Sequence, residues 1–435
     1  MRKATFILSL VLAAGMLFSC SKQNPNFKDI VLDGTAESGE LQGLTRSTNP
    51  ETRRVLIMYS AGFNSLSGYL KSDLEDIKQG YVPTPHRTSD VLLIISRQTV
   101  SGTDTRKPSE PVLVRLTREE GKELVCDTLK RWSGDTPIAS ASFMREALDY
   151  IKMRFPAAGY GMIFSSHGTG WLPSEYYAHP EKYEGGDSFW APVKRTLGQD
   201  EGYESSDDAE GGKVVLPYSE IELKDLPGAI PFHLDYMLVD ACLMGGIEFA
   251  YQMKDVCDKI AFSQTEILAE GLDYNTVVSR LLEGKTPDVL QVCKDYFNMY
   301  DQQEGSQQSA TISLVDCTSL EPLASVCEDL FNRYNYQIRH LNAYAVQRYY
   351  RQDHHYFYDL EDILIHAGIT AEEKAALEQA LDQAIIYKAA TPSFLGVEIK
   401  IHSGFSMYLP SKGTAFLDSF YKENIAWNAR TGLVQ

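Results

Sequence analysis

Two reactive side chains each follow directly after a short, largely apolar run. His167 comes after residues 160–166, and Cys242 comes after residues 234–241. A cysteine becomes a useful nucleophile as the thiolate, and a nearby histidine can accept its proton. The pair is therefore predicted to be a cysteine–histidine catalytic dyad. The alternative for a lone cysteine at the end of a strand is a buried position in the core.

Glycines beside these two residues add to the predicted chemistry. Gly168 has no side chain to block a substrate carbonyl, so its backbone N–H can act as an oxyanion donor beside that of Cys242. Gly245 and Gly246 allow a sharp turn into a helix that begins near Ile247. The dipole of such a helix favours negative charge on the sulfur.

Alternating strands and helices are predicted to position the dyad. Strand-like runs at residues 55–60 and 90–96 alternate with helical patterns at residues 65–79 and 141–155. This alternation predicts an α/β fold with a mostly parallel sheet covered on both faces. Open sheets of this kind carry their chemistry at the carboxyl ends of the strands, where His167 and Cys242 would both lie.

The length of 435 residues suits two or three domains. We predict a catalytic domain over residues 54–274 and a C-terminal α/β subdomain over residues 275–435. The helices of this subdomain are expected at residues 276–300, 320–344 and 372–387, and its last strand pair at residues 397–410.

Residues 181–213 differ in composition from the flanking sequence. They contain two glycine pairs and an acidic run at residues 200–210, with few apolar side chains. Such a segment buries little apolar surface, so it is predicted to be an exposed, mobile loop. Its place between the histidine and the cysteine puts it near the predicted active site. The basic residues of this segment considered as candidate processing sites are Lys182, Lys194, Arg195 and Lys213.

The N-terminus resembles a bacterial lipoprotein signal. Two basic residues precede the apolar stretch 4–18, and Cys20 follows a small residue at the expected cleavage point. We predict a signal peptide over residues 1–19, lipidation of Cys20 and a flexible tether over residues 20–53. This places the protein outside the cytoplasm, anchored to a bacterial membrane on its periplasmic side or at the cell surface. The alternatives are an ordinary cleaved signal or a short membrane anchor.

The composition argues against a nucleic-acid partner. The chain has 41 Lys and Arg against 59 Asp and Glu, a formal net charge of -18, which opposes binding to phosphates. No CxxC pair occurs, which argues against a structural zinc site. His354 and His355 are candidate metal ligands, but they fit equally well as part of a tyrosine-rich helical surface.

The segment 165–171, Ser-Ser-His-Gly-Thr-Gly-Trp, is followed by Asp-Ala-Cys-Leu-Met-Gly at residues 240–245. This pair of motifs resembles the clostripain family of cysteine peptidases, which are related to caspases, legumains and gingipains. Further matches extend the resemblance over most of residues 54–410. They are residues 197–200, 263–266, 270–274 and 404–410.

The resemblance implies a caspase-like α/β/α sandwich that cleaves peptide bonds after Arg or Lys. In that family the histidine is the general acid and base, the cysteine forms the thioester, and the amides of Gly168 and Cys242 hold the oxyanion. Asp240 matches the acid that receives the basic P1 side chain, although a strand-end cap also explains it. Glu266 and Glu270 match further substrate-binding positions. Leu272 replaces an aromatic residue common in the family.

Several relatives cut themselves between the histidine and the cysteine, which implies processing at Lys182, Lys194, Arg195 or Lys213. Relatives can also depend on calcium, and the acidic run 200–210 offers oxygen ligands. Its spacing does not match an EF-hand, and a solvated acidic loop is the competing interpretation. The expected partners are proteins or peptides with basic residues. The alternatives are a catalytically silent lipoprotein binding module with the same fold and an acyl transferase that uses the same dyad.

Overall fold

The computed structural model describes residues 50–100, 107–176, 197–205, 214–352 and 355–435. These residues fall in one compact unit. The predicted signal peptide, Cys20 and most of the predicted tether lie outside the described residues. Arg53, the last residue of the predicted tether, already belongs to the folded unit, because it is buried and its Nη1 donates to the carbonyl of Pro156 at 2.8 Å.

A nine-stranded sheet forms the centre of this unit. Its strands are β1 (Arg54–Gly62), β2 (Val91–Gln98), β3 (Val112–Arg118), β4 (Leu124–Arg131), β5 (Gly159–Ser165), β10 (Tyr236–Asp240), β11 (Lys259–Phe262), β12 (Thr311–Asp316) and β14 (Ile385–Ala390), numbered with the short strands given below.

The order of the strands is β14-β12-β11-β10-β5-β1-β2-β3-β4. The five central strands, from β11 to β2, run parallel to one another. The two strands at each edge are antiparallel to their neighbours. Parallel strands require crossover connections, and these place helices over both faces of the sheet.

Short strands and helices complete the fold. The short strands are β6 (Leu197–Asp200), β7 (Tyr203–Ser205), β8 (Val214–Leu216), β9 (Ser219–Ile221), β13 (Tyr358–Asp359), β15 (Ser393–Phe394), β16 (Val397–Glu398) and β17 (Ser406–Met407). The helices are α1 (Ser67–Gln79), α2 (Ala141–Arg154), α3 (Leu226–Ala229), α4 (Ile247–Met253), α5 (Tyr274–Leu282), α6 (Val289–Asp301), α7 (Leu320–Arg339), α8 (Leu360–Ala367), α9 (Ala371–Ala384), α10 (Ala415–Asn424) and α11 (Ala426–Thr431).

Two apolar cores cover the two faces of the sheet. Alternate residues of β1 divide between them, with Ile57 and Tyr59 in one core and Leu56 and Met58 in the other. Successive side chains of a strand point to opposite faces, so a strand that is apolar at every position is buried on both sides. This arrangement confirms the predicted α/β/α architecture.

The predicted C-terminal subdomain contributes to this same sheet. Strand β12 pairs with β11 of the predicted catalytic domain, and β14 then pairs with β12. The helix predicted over residues 276–300 is two helices, α5 and α6, because Pro287 lies between them. The helix predicted to reach residue 387 ends at Ala384, where the isoleucines that follow begin β14. No helix among the described residues is long and apolar enough to cross a membrane.

Candidate active site

His167 and Cys242 follow two adjacent parallel strands in matching register. Strand β5 pairs with β10, and Ser165 lies opposite Asp240 at the end of the pairing. His167 and Cys242 each come two residues later, and the amide of Ser166 still donates to the carbonyl of Asp240 at 3.3 Å. Both reactive residues therefore leave the sheet at the same edge and on neighbouring strands.

The two loops that carry the reactive residues are packed directly against each other. A Cβ atom on Gly168 would lie 2.7 Å from the carbonyl oxygen of Cys242, so only glycine fits at this position. Leu243 has a φ angle of 61°, a left-handed conformation that is unfavourable for a residue with a side chain. Its amide donates to the carbonyl of Thr265 at 2.9 Å. The loop that carries Cys242 thus keeps a strained backbone, and the hydrogen bond to Thr265, in the loop after β11, holds it in place.

The histidine ring is buried, with an exposed fraction of 3%. Its Nε2 atom lies 2.9 Å from the hydroxyl oxygen of Ser65, which follows β1 at the same sheet edge. A contact at Nε2 restrains the orientation of the imidazole ring. Ser65 was not singled out in the sequence, since a serine after a strand is common. Its position after β1 is the only signal that could have indicated it.

The thiol of Cys242 is 8% exposed and lies beside Ile267. The amide of Ile267 points at Sγ with a nitrogen–sulfur distance of 3.5 Å. Sγ also lies 3.9 Å from the carbonyl oxygen of Ile267, to which the thiol can donate, so this residue contacts the sulfur through both its amide and its carbonyl. Helix α4 begins at Ile247 as predicted, after the turn at Gly245 and Gly246.

Asp240 is buried at the end of β10, two residues before Cys242. Its Oδ2 accepts hydrogen bonds from the hydroxyl groups of Tyr274, at 2.5 Å, and Ser165, at 3.2 Å. Burial raises the pKa of Asp240, and these two donors oppose that shift. Both donors are side-chain hydroxyl groups, whereas a strand-end cap would use backbone amides. Gly271, with a φ angle of 61°, comes so close that a Cβ atom there would lie 2.6 Å from Oδ2.

Glu266 is paired with an arginine from the C-terminal half of the chain. Arg351 Nε lies 2.9 Å from Oε2 of Glu266, and Nη2 lies 3.3 Å from Oε1, so the contact is bidentate. The hydrogen bond to Glu266 raises the pKa of Arg351, and burial opposes this shift. An internal guanidinium group therefore pairs with Glu266, the residue before Ile267, and the sequence pattern gave no sign of it.

The dispersed motifs noted in the sequence converge on the two reactive loops. The amide of Gly198 donates to the carbonyl of His167 at 3.0 Å. On the other side, the amide of Ser406 donates to the carbonyl of Gly245 at 2.8 Å, and Gln264 Nε2 donates to the carbonyl of Gly404 at 2.8 Å. These distant segments therefore support the histidine loop and the cysteine loop directly.

Comparison with known proteins identifies the family to which this arrangement belongs. The profile of the clostripain family, peptidase C11, matches residues 58–429. The chain belongs to the clostripain family. The match includes both reactive residues and all of the dispersed motifs.

Individual relatives agree with this assignment. Clostripain from Hathewaya histolytica is 23% identical over 263 residues, which is 56% of this chain and 45% of that protein. The chain therefore spans less than half the length of this curated relative. An inactive zymogen C11 protease from Parabacteroides distasonis has a similar structure, with 26% identity and a TM-score of 0.70 over 88% of this chain and 99% of that one. A secreted C11 cysteine protease from Bacteroides thetaiotaomicron, iotapain, shares the fold, with 23% identity and a TM-score of 0.67 over 87% and 99%.

The other predicted site residues of this clostripain-family chain lie in varied surroundings. Glu270 is exposed, and its charge acts on the phenol of Tyr300. The candidate processing residues Lys182, Lys194, Arg195 and Lys213 lie outside the described residues, as does His354. His355 is buried, and its Nδ1 lies 2.6 Å from the carbonyl of Gln352.

The described residues do not fit the calcium ligands suggested for the acidic run of this clostripain-family chain. Asp200, the first residue of that run, is fully buried, and its Oδ2 lies 2.9 Å from Nη1 of Arg97. The same oxygen accepts a hydrogen bond from the amide of Ile138 at 2.5 Å. Within the described residues, no group of three or more His, Cys, Asp or Glu side chains is arranged to hold a metal ion. Asp200 therefore has a structural role, since its carboxylate already binds Arg97 and the amide of Ile138.

Proposed function

We propose that this protein is a cysteine endopeptidase that cleaves protein and peptide chains after Arg or Lys, with Cys242 as nucleophile and His167 as general acid and base. The observation that carries the proposal is the matching register of the two residues. Each lies two residues beyond the paired Ser165 and Asp240 on adjacent parallel strands. Membership of the clostripain family supports the same reaction.

In the proposed mechanism, Nδ1 of His167 accepts the thiol proton, and the thiolate attacks the carbonyl carbon of the scissile bond. The amides of Gly168 and Cys242 donate to the oxygen that becomes negative. The intermediate then collapses, the C–N bond breaks, and His167 protonates the leaving amine. Water, deprotonated by His167, hydrolyses the thioester and releases the new carboxyl terminus together with the thiol.

Asp240 is proposed to receive the basic P1 side chain. It is buried at the end of the strand that delivers Cys242, and its charge has no cationic partner among the described residues. A buried carboxylate binds a guanidinium or ammonium group strongly because each charge compensates the other. Selectivity for basic P1 residues follows from this pairing.

Processing within residues 181–213 and lipidation of Cys20 complete the proposal. Support for processing comes from Gly198, which lies just after the candidate residue Arg195 and donates directly to the carbonyl of His167. A cut before this segment would change its attachment beside the histidine. The lipidated N-terminus would hold the enzyme outside the cytoplasm, anchored to a bacterial membrane on its periplasmic side or at the cell surface.

Peptide substrates that differ only at P1 test the main proposal. Arg and Lys substrates should be cleaved, Ala and Glu substrates should resist, and Cys242→Ala should abolish all cleavage. A folded wild-type protein that cleaves none of these peptides, and whose thiol reacts with iodoacetamide no faster than a free cysteine at mildly acidic pH, would instead be the silent binding module.

Separate measurements test processing and lipidation. Wild-type enzyme should separate into two fragments on a denaturing gel, whereas Cys242→Ala should remain a single chain. Radiolabelled palmitate should enter the wild-type protein and be lost from Cys20→Ala. Active enzyme that stays uncut would refute processing, and unlabelled wild-type protein would refute the lipid anchor.

A further inference from the structure

Asp73 is a buried acidic residue that the proposed mechanism does not yet use. It is 5% exposed and lies on the face of α1 that also buries Leu70, Leu74 and Ile77. Within the described residues, no hydrogen-bond donor and no cation contacts its carboxyl group. A carboxylate at such a position is costly unless a partner compensates it. Without a partner the group stays neutral by keeping its proton, and a cation that binds beside it can take the place of that proton.

The surroundings of Asp73 belong to a polar layer at one end of the sheet. On the face covered by α1, three neighbouring strands carry polar residues at or near their carboxyl ends, and these residues lie side by side in register. They are Ser60, Ser165 and Asp240, all of them buried. Asp73 is close enough to this layer for the charge of Asp240 to act on it. Cys242 follows Asp240 by two residues, so the polar layer adjoins the nucleophile.

We propose that Asp73 is a second specificity-determining residue of the P1 pocket, so that the basic side chain of the substrate pairs with both Asp73 and Asp240. This inference rests on the proposed peptidase function and deepens it. The charge partner of Asp73 would be the guanidinium or ammonium group of the substrate, because no described residue that acts on Asp73 is positively charged.

The other groups around Asp73 agree with a cation site. Tyr274 donates to Asp240, and Tyr300 donates to the carbonyl of Gly271 at 2.9 Å, so the phenols already use their protons within the protein. Both described donors to Asp240 use Oδ2. No described hydrogen-bond donor therefore uses Oδ1 of Asp240 or the carboxyl group of Asp73. A guanidinium group has five N–H donors in a planar fork, which suits two separate carboxylates.

The ionisation of Asp73 should be linked to binding. Burial, the charge of Asp240 and the charge of Asp76 raise the pKa of Asp73 to about 8. The charge of Asp73 acts on Tyr274 of α5 and on Tyr300 of α6, and Glu270 in the preceding loop acts on Tyr300 as well. The cations of the surrounding helices have partners elsewhere: Arg280 of α5 pairs with Asp295, Lys78 of α1 pairs with Glu75, and Lys71 of α1 donates to the carbonyl of Thr99. Asp73 is therefore largely protonated at neutral pH in the empty pocket. A bound cation favours the carboxylate, and the proton passes to solvent.

The first test compares Arg with citrulline at P1, because citrulline has nearly the same shape without the charge. Wild-type enzyme should strongly prefer Arg. Asp73→Asn should lower the Arg-to-citrulline ratio of kcat/KM by about tenfold or more, since the cation loses one of two buried partners. Glu75→Gln is the matched control, because it removes the same charge from the exposed side of α1 and should leave the ratio unchanged. An unchanged ratio in a folded Asp73→Asn enzyme would overturn the proposal.

The second test measures proton release and needs no catalysis. Benzamidinium is titrated into the Cys242→Ala protein at about pH 7 in two buffers of different ionisation enthalpy. Release of a substantial fraction of a proton is expected, and it should disappear when Asp73→Asn is added. Binding without proton release, or release that survives Asp73→Asn, would overturn the proposal even if the variant enzyme were too unstable for kinetics.

The two proposals fail in different ways. A wild-type protein that cleaves no basic substrate refutes the proposed function itself. A wild-type enzyme that prefers Arg over citrulline, together with an Asp73→Asn enzyme of equal preference, refutes only the role of Asp73.

Discussion

Glu248 provides a sharp test of how the helix after the nucleophile is held. It lies on α4, is fully buried, and its Oε1 accepts the amide of Tyr408 and the hydroxyl of Tyr421, both at 2.8 Å. No described residue donates to its Oε2. Burial raises the pKa of Glu248 to about 7, against an unfolded value of 4.5, although the two donors oppose the shift.

The sign of the pH dependence follows from this raised pKa. Below the unfolded value the carboxyl group is protonated in both states, so its contribution to stability is fully present. As the pH rises toward the folded value, the unfolded state loses its proton while the buried group keeps its own, so that contribution is lost by the time the pH has passed through the folded value. The shift of about 2.5 units, at about 1.4 kcal/mol per unit, gives a loss of roughly 3 kcal/mol between pH 4.5 and 7.

We expect Glu248→Gln to remove this part of the pH dependence. Glutamine keeps an oxygen acceptor for Tyr408 and Tyr421 but cannot ionise. Denaturant unfolding of both proteins at about pH 5 and about pH 8 should show the variant gaining stability relative to the wild type by up to about 3 kcal/mol at the higher pH. A constant stability difference between the two proteins across this range would refute the assigned ionisation.

Three further predictions concern the packing around the dyad. Gly271→Ala should strongly lower kcat/KM for Arg substrates, because the added Cβ would lie 2.6 Å from Asp240 Oδ2. Gly368→Ala is the control: its φ angle of 92° gives a similar backbone cost of about 1–2 kcal/mol, but no atom lies within 4 Å of the added Cβ. Equal kinetic effects of the two variants would contradict this reasoning. Ser65→Ala should reduce kcat by about three- to tenfold, with KM little changed, because one hydrogen bond to His167 Nε2 is lost. Ser65→Thr keeps a hydroxyl group and should recover most of the rate. Full activity of Ser65→Ala would show that Ser65 does not position the imidazole ring. Asp200→Asn should destabilise the protein by about 3–5 kcal/mol in denaturant unfolding because Arg97 would remain buried without its charge partner, and a change below about 1 kcal/mol would show that the pair is dispensable.

Local sequence pattern was sufficient to predict the architecture and to place His167 and Cys242 just after buried strands. His167 and Cys242 follow apolar strands, small residues follow them at once, and strands alternate with helices along the first half of the chain. These features depend on neighbours a few residues away, so they are visible without a structure. The strands at the edges of the sheet are harder to predict from the sequence. Residues 124–131 form β4 with mostly exposed or half-buried side chains, so they lack the apolar run that marks the central strands.

The partners of the reactive residues depend on contacts between distant parts of the chain. Ser65 reaches His167 across 102 positions, and Arg351 reaches Glu266 across 85. Asp73 joins the layer of Asp240 only because α1 packs over the face on which β10 ends. The sequence alone determined which groups can react and that both emerge from buried strands, because these properties are local. The tertiary structure decided which charges and hydroxyl groups surround them, because sheet order and helix packing place residues together that no local spacing relates.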